Sequence, residues 1–157
     1  MSTLTQNEIK VGEAAPDFTL PSTTGKPVTL SSLKGEKNVL LAFFPLAFTS
    51  VCTTEMCDFG TEVEAFERAG TKVFGISVDA TPSQKAFQKD LGFSTELLSD
   101  FKRDVSRLYG VLLDDHFFSK RAYFLIDRQG IVRWKHVEAE LGHRRENAEI
   151  LAEIAKL

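Results

Sequence analysis

The chain has 157 residues, 43% of them hydrophobic and 26% charged, with a formal net charge of −3. That length suits one domain with a core of its own, and the composition is that of a soluble globular protein. The slight negative charge excludes the basic footprint of a binder of nucleic acid or anionic membrane, and no apolar stretch approaches the length of a bilayer span.

At the N-terminus, MSTLTQNEIKVGEAAPDF lacks the basic segment and apolar core of a secretory signal, so a cytoplasmic location is expected. PDFTLPSTTGKPVTLSSL has short alternating stretches around a Thr-Gly turn and predicts a hairpin. Asn38–Phe44 (NVLLAFF) is apolar on both faces, the pattern of a buried central strand. Cys52, Met56, Phe59, Val63 and Phe66 then step by four and three, which predicts one helix of about four turns. TKVFGISV reads as a second buried strand. DATPSQKAFQKDLG reads as a helix with a Thr-Pro start and a stop near Gly92. RDVSRLYG predicts a shorter helix stopped at Gly110, with Asp114, Asp115 and His116 in a polar loop beyond it. AYFLID is a strongly apolar strand, and IDRQGIVRWKHV turns at Gln129-Gly130 into another, with Trp134 as a packing residue. HRREN reads as a solvated charge run before a last helix, NAEILAEIAKL, anchored by Ile150, Leu151 and Ile154. Strands alternate with helices and a hairpin comes late, with no repeat, low-complexity tract or linker. Residues 1–157 are therefore expected to form a single α/β domain on a mixed sheet.

Both cysteines of the chain, Cys52 and Cys57, lie just beyond the central strand. Two cysteines make a poor disulfide framework for a chain of this size. If Cys52 opens the long helix, it meets unpaired backbone N–H groups and the positive end of the helix dipole, which favour a thiolate. The bland alternative is a small apolar core residue. On an intact helix, positions five apart sit roughly 140° around the axis with Cα atoms about 8–9 Å apart. A disulfide seldom tolerates more than about 7 Å, so joining the two requires local unwinding. Thr53, Thr54 and Gly60 are mediocre helix formers that make unwinding plausible, and Cys57 falls on the flank with Thr53, Gly60 and Glu64, off the apolar stripe.

The segment FFPLAFTSVCTTEMC resembles the active-site segment of the peroxiredoxins, the AhpC/TSA superfamily of thiol peroxidases on the thioredoxin-like fold. VGEAAPDFTL resembles the family's usual start and KRAYFLIDRQGIVR its arginine-bearing hairpin, so the likeness runs from about Val11 to Arg133. It implies a central mixed sheet flanked by helices, with an N-terminal hairpin extension. It implies Cys52 as the peroxidatic cysteine, Thr49 as the hydroxyl that contacts thiolate and peroxide, Pro45 as a shield against water, and Arg121 as the guanidinium beside the sulfur. Glu55 would help hold that arginine, as in the subfamilies that carry it. Cys-x4-Cys resembles the bacterioferritin-comigratory (PrxQ) branch and makes Cys57 the resolving cysteine. FFPLAFT is more like the AhpE branch of one-cysteine enzymes, with Leu46-Ala47 and Ser50-Val51 where the first branch has charged residues and Pro-Gly. The apolar Leu46, Ala47 and Phe48 would favour organic hydroperoxides or line a subunit contact.

The chemistry so implied is a hydroperoxide reductase that needs no metal or organic cofactor, with thioredoxin or a similar dithiol protein as reductant, acting as monomer or homodimer. Lowering a cysteine pKa from about 8.5 to about 6 raises the thiolate fraction at neutral pH roughly thirtyfold, about 2 kcal/mol. Nucleophilicity falls with pKa, so most of the catalysis must come from preorganised charge stabilisation at the leaving oxygen. The alternatives are a one-cysteine cycle with Cys57 silent and a redox-sensing adaptor. A thioredoxin-type reductase needs a Cys-x-x-Cys pair that the sequence lacks, and a zinc module would have to draw on the scattered His116, His136 and His143.

Overall fold

The computed structural model describes residues 8–157, apart from the side chains of Ser50, Val51, Cys52, Glu55 and Thr61. Asn38–Phe43 forms strand β3 at the centre of a five-stranded sheet, and all six of its residues are buried. The hairpin ahead of it is a short antiparallel ladder of β1 (Thr19–Leu20) and β2 (Val28–Thr29), followed by one 3-10 turn over Leu30–Leu33.

β4 (Thr71–Ser77) lies parallel to β3 on one side, with β5 (Glu96–Ser99) parallel beyond it. β8 (Ala122–Ile126) lies antiparallel to β3 on the other side, and β9 (Val132–Val137) completes the order β5-β4-β3-β8-β9. A second small ladder, β6 (Leu112–Leu113) with β7 (Phe118–Ser119), carries Asp114, Asp115 and His116 in its loop, as expected.

Alternation along β3 sends Val39, Leu41 and Phe43 to one face and Leu40, Ala42 and Phe44 to the other. The first face packs on Phe18, Leu20 and Leu30 of the N-terminal segment and on Val105 and Tyr109 around helix α4 (Asp104–Leu108). The second face packs on α1 (Ser50–Thr61), α2 (Val63–Arg68), α3 (Thr81–Leu91) and α5 (Asn147–Ile154) through Met56, Phe59, Phe66, Phe87, Ile150 and Ile154. Each such side chain taken fully out of water contributes roughly 1.5–3 kcal/mol. β3 is thus buried along its whole length at the centre of the sheet, and its end fixes where the next loop begins. Among the described residues, no helix is long and apolar enough to cross a membrane.

Two expectations are corrected. The predicted four-turn helix is broken at Glu62 (φ −111°, ψ 17°) into α1 and α2, although its stripe still buries Met56, Phe59 and Phe66. At that point the Asn147 side-chain amide donates to the Asp58 carbonyl at 3.0 Å, which also takes the Glu62 N–H at 3.2 Å. A side chain entering the helical hydrogen-bond ladder is a recognised cause of a bend. The second correction is HRREN, which is not simply solvated surface. Arg144 pairs with Asp58 at 2.6 Å, and Arg145 pairs with the buried Glu138 at 2.9 Å. β5 has no strong pattern in the sequence and exists through its parallel pairing with β4. Its outer edge is covered by the N-terminal segment, through the Thr23 N–H to the Leu97 carbonyl and the Ser99 N–H to the Pro21 carbonyl.

Candidate active site

β3 delivers the chain to the C-terminal end of the parallel strands, where Phe44 extends the ladder by donating its N–H to the Ile76 carbonyl. The Phe44 carbonyl accepts from Ser119 Oγ at 3.2 Å, and Pro45 is buried immediately after it. The chain then turns sharply. Phe48 adopts a left-handed backbone (φ 67°), is 55% exposed as a residue, and has its ring centroid 5.0 Å from that of Phe87. A non-glycine residue in that region costs of order 1–3 kcal/mol and persists only where its surroundings enforce it.

The enforcement comes from both sides of Phe48. Ala47 donates its N–H to Asp79 Oδ2 at 2.8 Å, and Thr49 Oγ1 donates to the Leu46 carbonyl at 2.8 Å. Thr49 is the N-cap of α1 in an extended conformation, and its carbonyl receives the Thr53 N–H at 2.8 Å. Its hydroxyl serves the turn before the helix and makes no capping bond to a helix amide. Cys52 is the third residue of α1, within the first turn, where the amides not used inside the helix gather. The side chains of Cys52 and Glu55 lie outside the described residues.

Arg121 reaches the same end of the sheet from the antiparallel side. Phe43 pairs with Ala122 in the β3–β8 register, so Arg121 stands across from Phe44, one residue before Pro45. It is only 2% exposed, and its guanidinium lies 3.3 and 3.4 Å from the Leu141 carbonyl. A buried guanidinium cannot shed its proton and so holds a fixed positive charge there. Cys57 lies further along α1, partly buried against the second core cluster. The flank position read from the sequence is therefore less exposed than expected. α1 is continuous across both cysteines, the geometry in which residues five apart are too distant for a disulfide.

The sequence reading missed Asp79. It lies two residues beyond β4, where the run DATP signals only a helix start. Its Oδ2 accepts from the Ala47 N–H and from Ser77 Oγ at 2.7 Å, while the buried Gln84 donates to Ser77 Oγ at 2.9 Å and to the Leu98 carbonyl. Asp100 backs this network through its N–H to the Ser77 carbonyl. Burial pushes the Asp100 carboxyl up, against the opposing pull of hydrogen bonds from Ser106 and Val105. The only sequence signal for Asp79 is an acidic residue directly after a buried parallel strand, at the end where such sheets build their sites.

Among the described residues, no group of three or more His, Cys, Asp or Glu could hold a metal ion. The three histidines go to separate partners: His116 to the Phe118 ring, His136 to Glu138 and His143 to Glu140. Pro45, Thr49, the first turn of α1 and Arg121 are thus gathered at one sheet end. That arrangement can favour an anionic sulfur and hold a polar substrate beside it.

Residues 11–135 match the AhpC/TSA family profile. Alkyl hydroperoxide reductase E of Mycobacterium tuberculosis is 39% identical over 132 residues, covering 83% of this chain and 86% of the other. A protein of Coxiella burnetii named putative peroxiredoxin bcp is 38% identical over 143 residues, covering 86% of this chain and 93% of its own length. The crystal structure of the reduced 2-Cys peroxiredoxin of Plasmodium vivax superposes with a TM-score of 0.85 at 35% identity, covering 92% of this chain and 80% of that one.

Proposed function

The chain belongs to the AhpC/TSA family, and from that premise we propose that it is a thiol-dependent peroxidase reducing hydrogen peroxide and organic hydroperoxides through Cys52. The observation that carries the assignment to this residue is the junction of β3 and α1. A buried proline and a strained loop feed Cys52 into the first helical turn at the sheet end that also holds a buried arginine.

Backbone amides at the helix start and the Arg121 charge keep the Cys52 sulfur as a thiolate. The thiolate attacks one peroxide oxygen: an S–O bond forms, the O–O bond breaks, and the leaving oxygen takes a proton to depart as water or alcohol. Cys52 is left as sulfenic acid. Thr49 already donates its proton to the Leu46 carbonyl, so its lone pairs are available to accept the peroxide O–H. Arg121 stabilises the negative charge that builds on the leaving oxygen, the part of the barrier that ionisation alone does not lower. Pro45 keeps water from competing for these donors, and Glu55 is assigned the support of Arg121 that the family resemblance implies.

Cys57 then resolves the sulfenic acid as an intramolecular disulfide, and an external dithiol protein of the thioredoxin type restores both thiols. The steps need no metal or organic cofactor. A one-cysteine cycle, in which an external thiol attacks the sulfenic acid, is the second reading. It draws support from the partial burial of Cys57 against the apolar core. The assignment is tested by hydroperoxide consumption with a dithiol reductant. Cys52→Ser is expected to abolish it, and undiminished turnover in that variant would refute the reading.

A further inference from the structure

Closing a Cys52–Cys57 disulfide needs part of α1 to unwind, and the contacts made on α1 decide how freely each cysteine can travel. Several neighbours reach its second half. The Met56 carbonyl accepts from Thr95 Oγ1 at 3.2 Å, and the Met56 side chain fits so closely over Gly75 that a Cβ there would come within 2.8 Å of its sulfur. Gly60 lies against Phe93, where a Cβ would meet the Phe93 Cβ at 2.9 Å. Asp58 is held twice: its carbonyl by the Asn147 side-chain amide at 3.0 Å, and its carboxylate by Arg144 Nη2 at 2.6 Å. The same Asn147 amide reaches Glu62 Oε1 at 3.2 Å.

Arg144 and Asn147 belong to one strap, residues 138–147, which runs from the candidate site to α1. The strap starts where the Glu138 N–H meets the Arg121 carbonyl, and its Leu141 carbonyl accepts from the Arg121 guanidinium. It is fixed near its far end by Arg145, whose side chain pairs with Glu138 at 2.9 Å and whose N–H donates to the Tyr123 hydroxyl at 3.0 Å. Cys57 therefore sits between two pinned neighbours, Met56 and Asp58.

We propose that this strap, acting through Arg144 and Asn147, is a latch that holds the Cys57 segment of α1 in place and so slows closure of the disulfide. The proposal rests on the two-cysteine reading above. In the closing step the Cys57 sulfur attacks the sulfenic sulfur of Cys52, the S–S bond forms, the S–O bond breaks, and the departing hydroxide takes the Cys57 proton as water. Both cysteines are thereby oxidised by the one peroxide already consumed. Arg144 and Asn147 are positioning residues in this scheme. They lengthen the life of the sulfenic acid by denying Cys57 any movement toward it.

The test separates oxidation from closure in the full chain by rapid quenching and mass analysis after one equivalent of hydrogen peroxide. In Arg144→Gln, closure is expected to be about two- to fivefold faster, the factor that a partly exposed ion pair is worth, while the bimolecular step with peroxide stays unchanged. Asp58→Asn should give the same acceleration, and the double variant no more than either single one, because all three remove one interaction. In the reduced protein, Arg144→Gln should lower the hydrogen-exchange protection of the amides from Cys57 to Thr61 by a similar factor. A closure rate and an exchange pattern unchanged in Arg144→Gln, with the disulfide still forming, would overturn the latch alone. Failure of the parent to form any disulfide would overturn both the latch and the two-cysteine reading.

Discussion

α1 and α3 follow adjacent parallel strands and pack on the same face of the sheet, yet they are built differently. α3 begins at Thr81-Pro82, with Pro in its first turn, and ends at Gly92 in the left-handed conformation (φ 68°) that lets a helix stop cleanly. Its boundaries are written in its own residues. α1 begins after a strained phenylalanine, carries two consecutive threonines and a glycine, and ends at a bend set by Asn147 from the far end of the chain. The difference teaches that the helix bearing the cysteines depends on its neighbours for its shape. Such a helix can give way locally without the domain unfolding.

The largest expected effect falls on the first turn of α1 alone. Arg121→Met should slow the oxidation of Cys52 by peroxide by about 10²- to 10³-fold, the scale of losing one preorganised charge donor. Stopped-flow competition with a reporter peroxidase would measure this. Hydrogen exchange in α3 should not change.

The next comparison sets glycine against glycine. Alanine is the better helix former at position 60 by about 1 kcal/mol, but its Cβ would press against the Phe93 Cβ at 2.9 Å. Overpacking of this kind costs about 1–3 kcal/mol, so Gly60→Ala should lower stability by up to about 2 kcal/mol in urea titration. In α3, Gly92→Ala meets nothing within 4 Å, and its cost, about 1 kcal/mol, comes from the left-handed backbone alone. A Gly60→Ala chain more stable than its parent would mean that α1 is as self-sufficient as α3.

The smallest effect belongs to neither helix. Because burial raises the Asp100 carboxyl above its ordinary value, the folded chain binds that proton more readily than the unfolded one. Its contribution to stability is therefore full below the unfolded pKa of about 4 and is lost as pH rises through the higher folded value. Asp100→Asn, which does not titrate, should remove that slope from the urea midpoint measured against pH. The relative exchange of α1 and α3 should stay as it was.

The same contrast explains what was legible in the sequence. α3, the buried strands and the N-terminal hairpin carry local signals of period, proline and glycine, and the structure has them where those signals put them. Pro45, Thr49, Cys52 and Arg121 stand out in the sequence because the segments around β3 and β8 resemble a known family over a long stretch. The end of α1, the strand β5 and the contacts of Asp79, Arg144 and Asn147 do not. Each depends on a partner distant in sequence: Asp79 on the Ala47 amide 32 positions away, Asn147 on the Asp58 carbonyl 89 positions away. A charge run such as HRREN looks the same on paper whether it meets water or a helix.

The most direct measurement is the mass of the intact parent chain after one equivalent of hydrogen peroxide, followed by mapping of the peptides that carry Cys52 and Cys57. A monomer lighter by two hydrogens, with the two peptides cross-linked, is the expected result. A stable oxygen adduct on Cys52, with Cys57 still a thiol, would contradict the account.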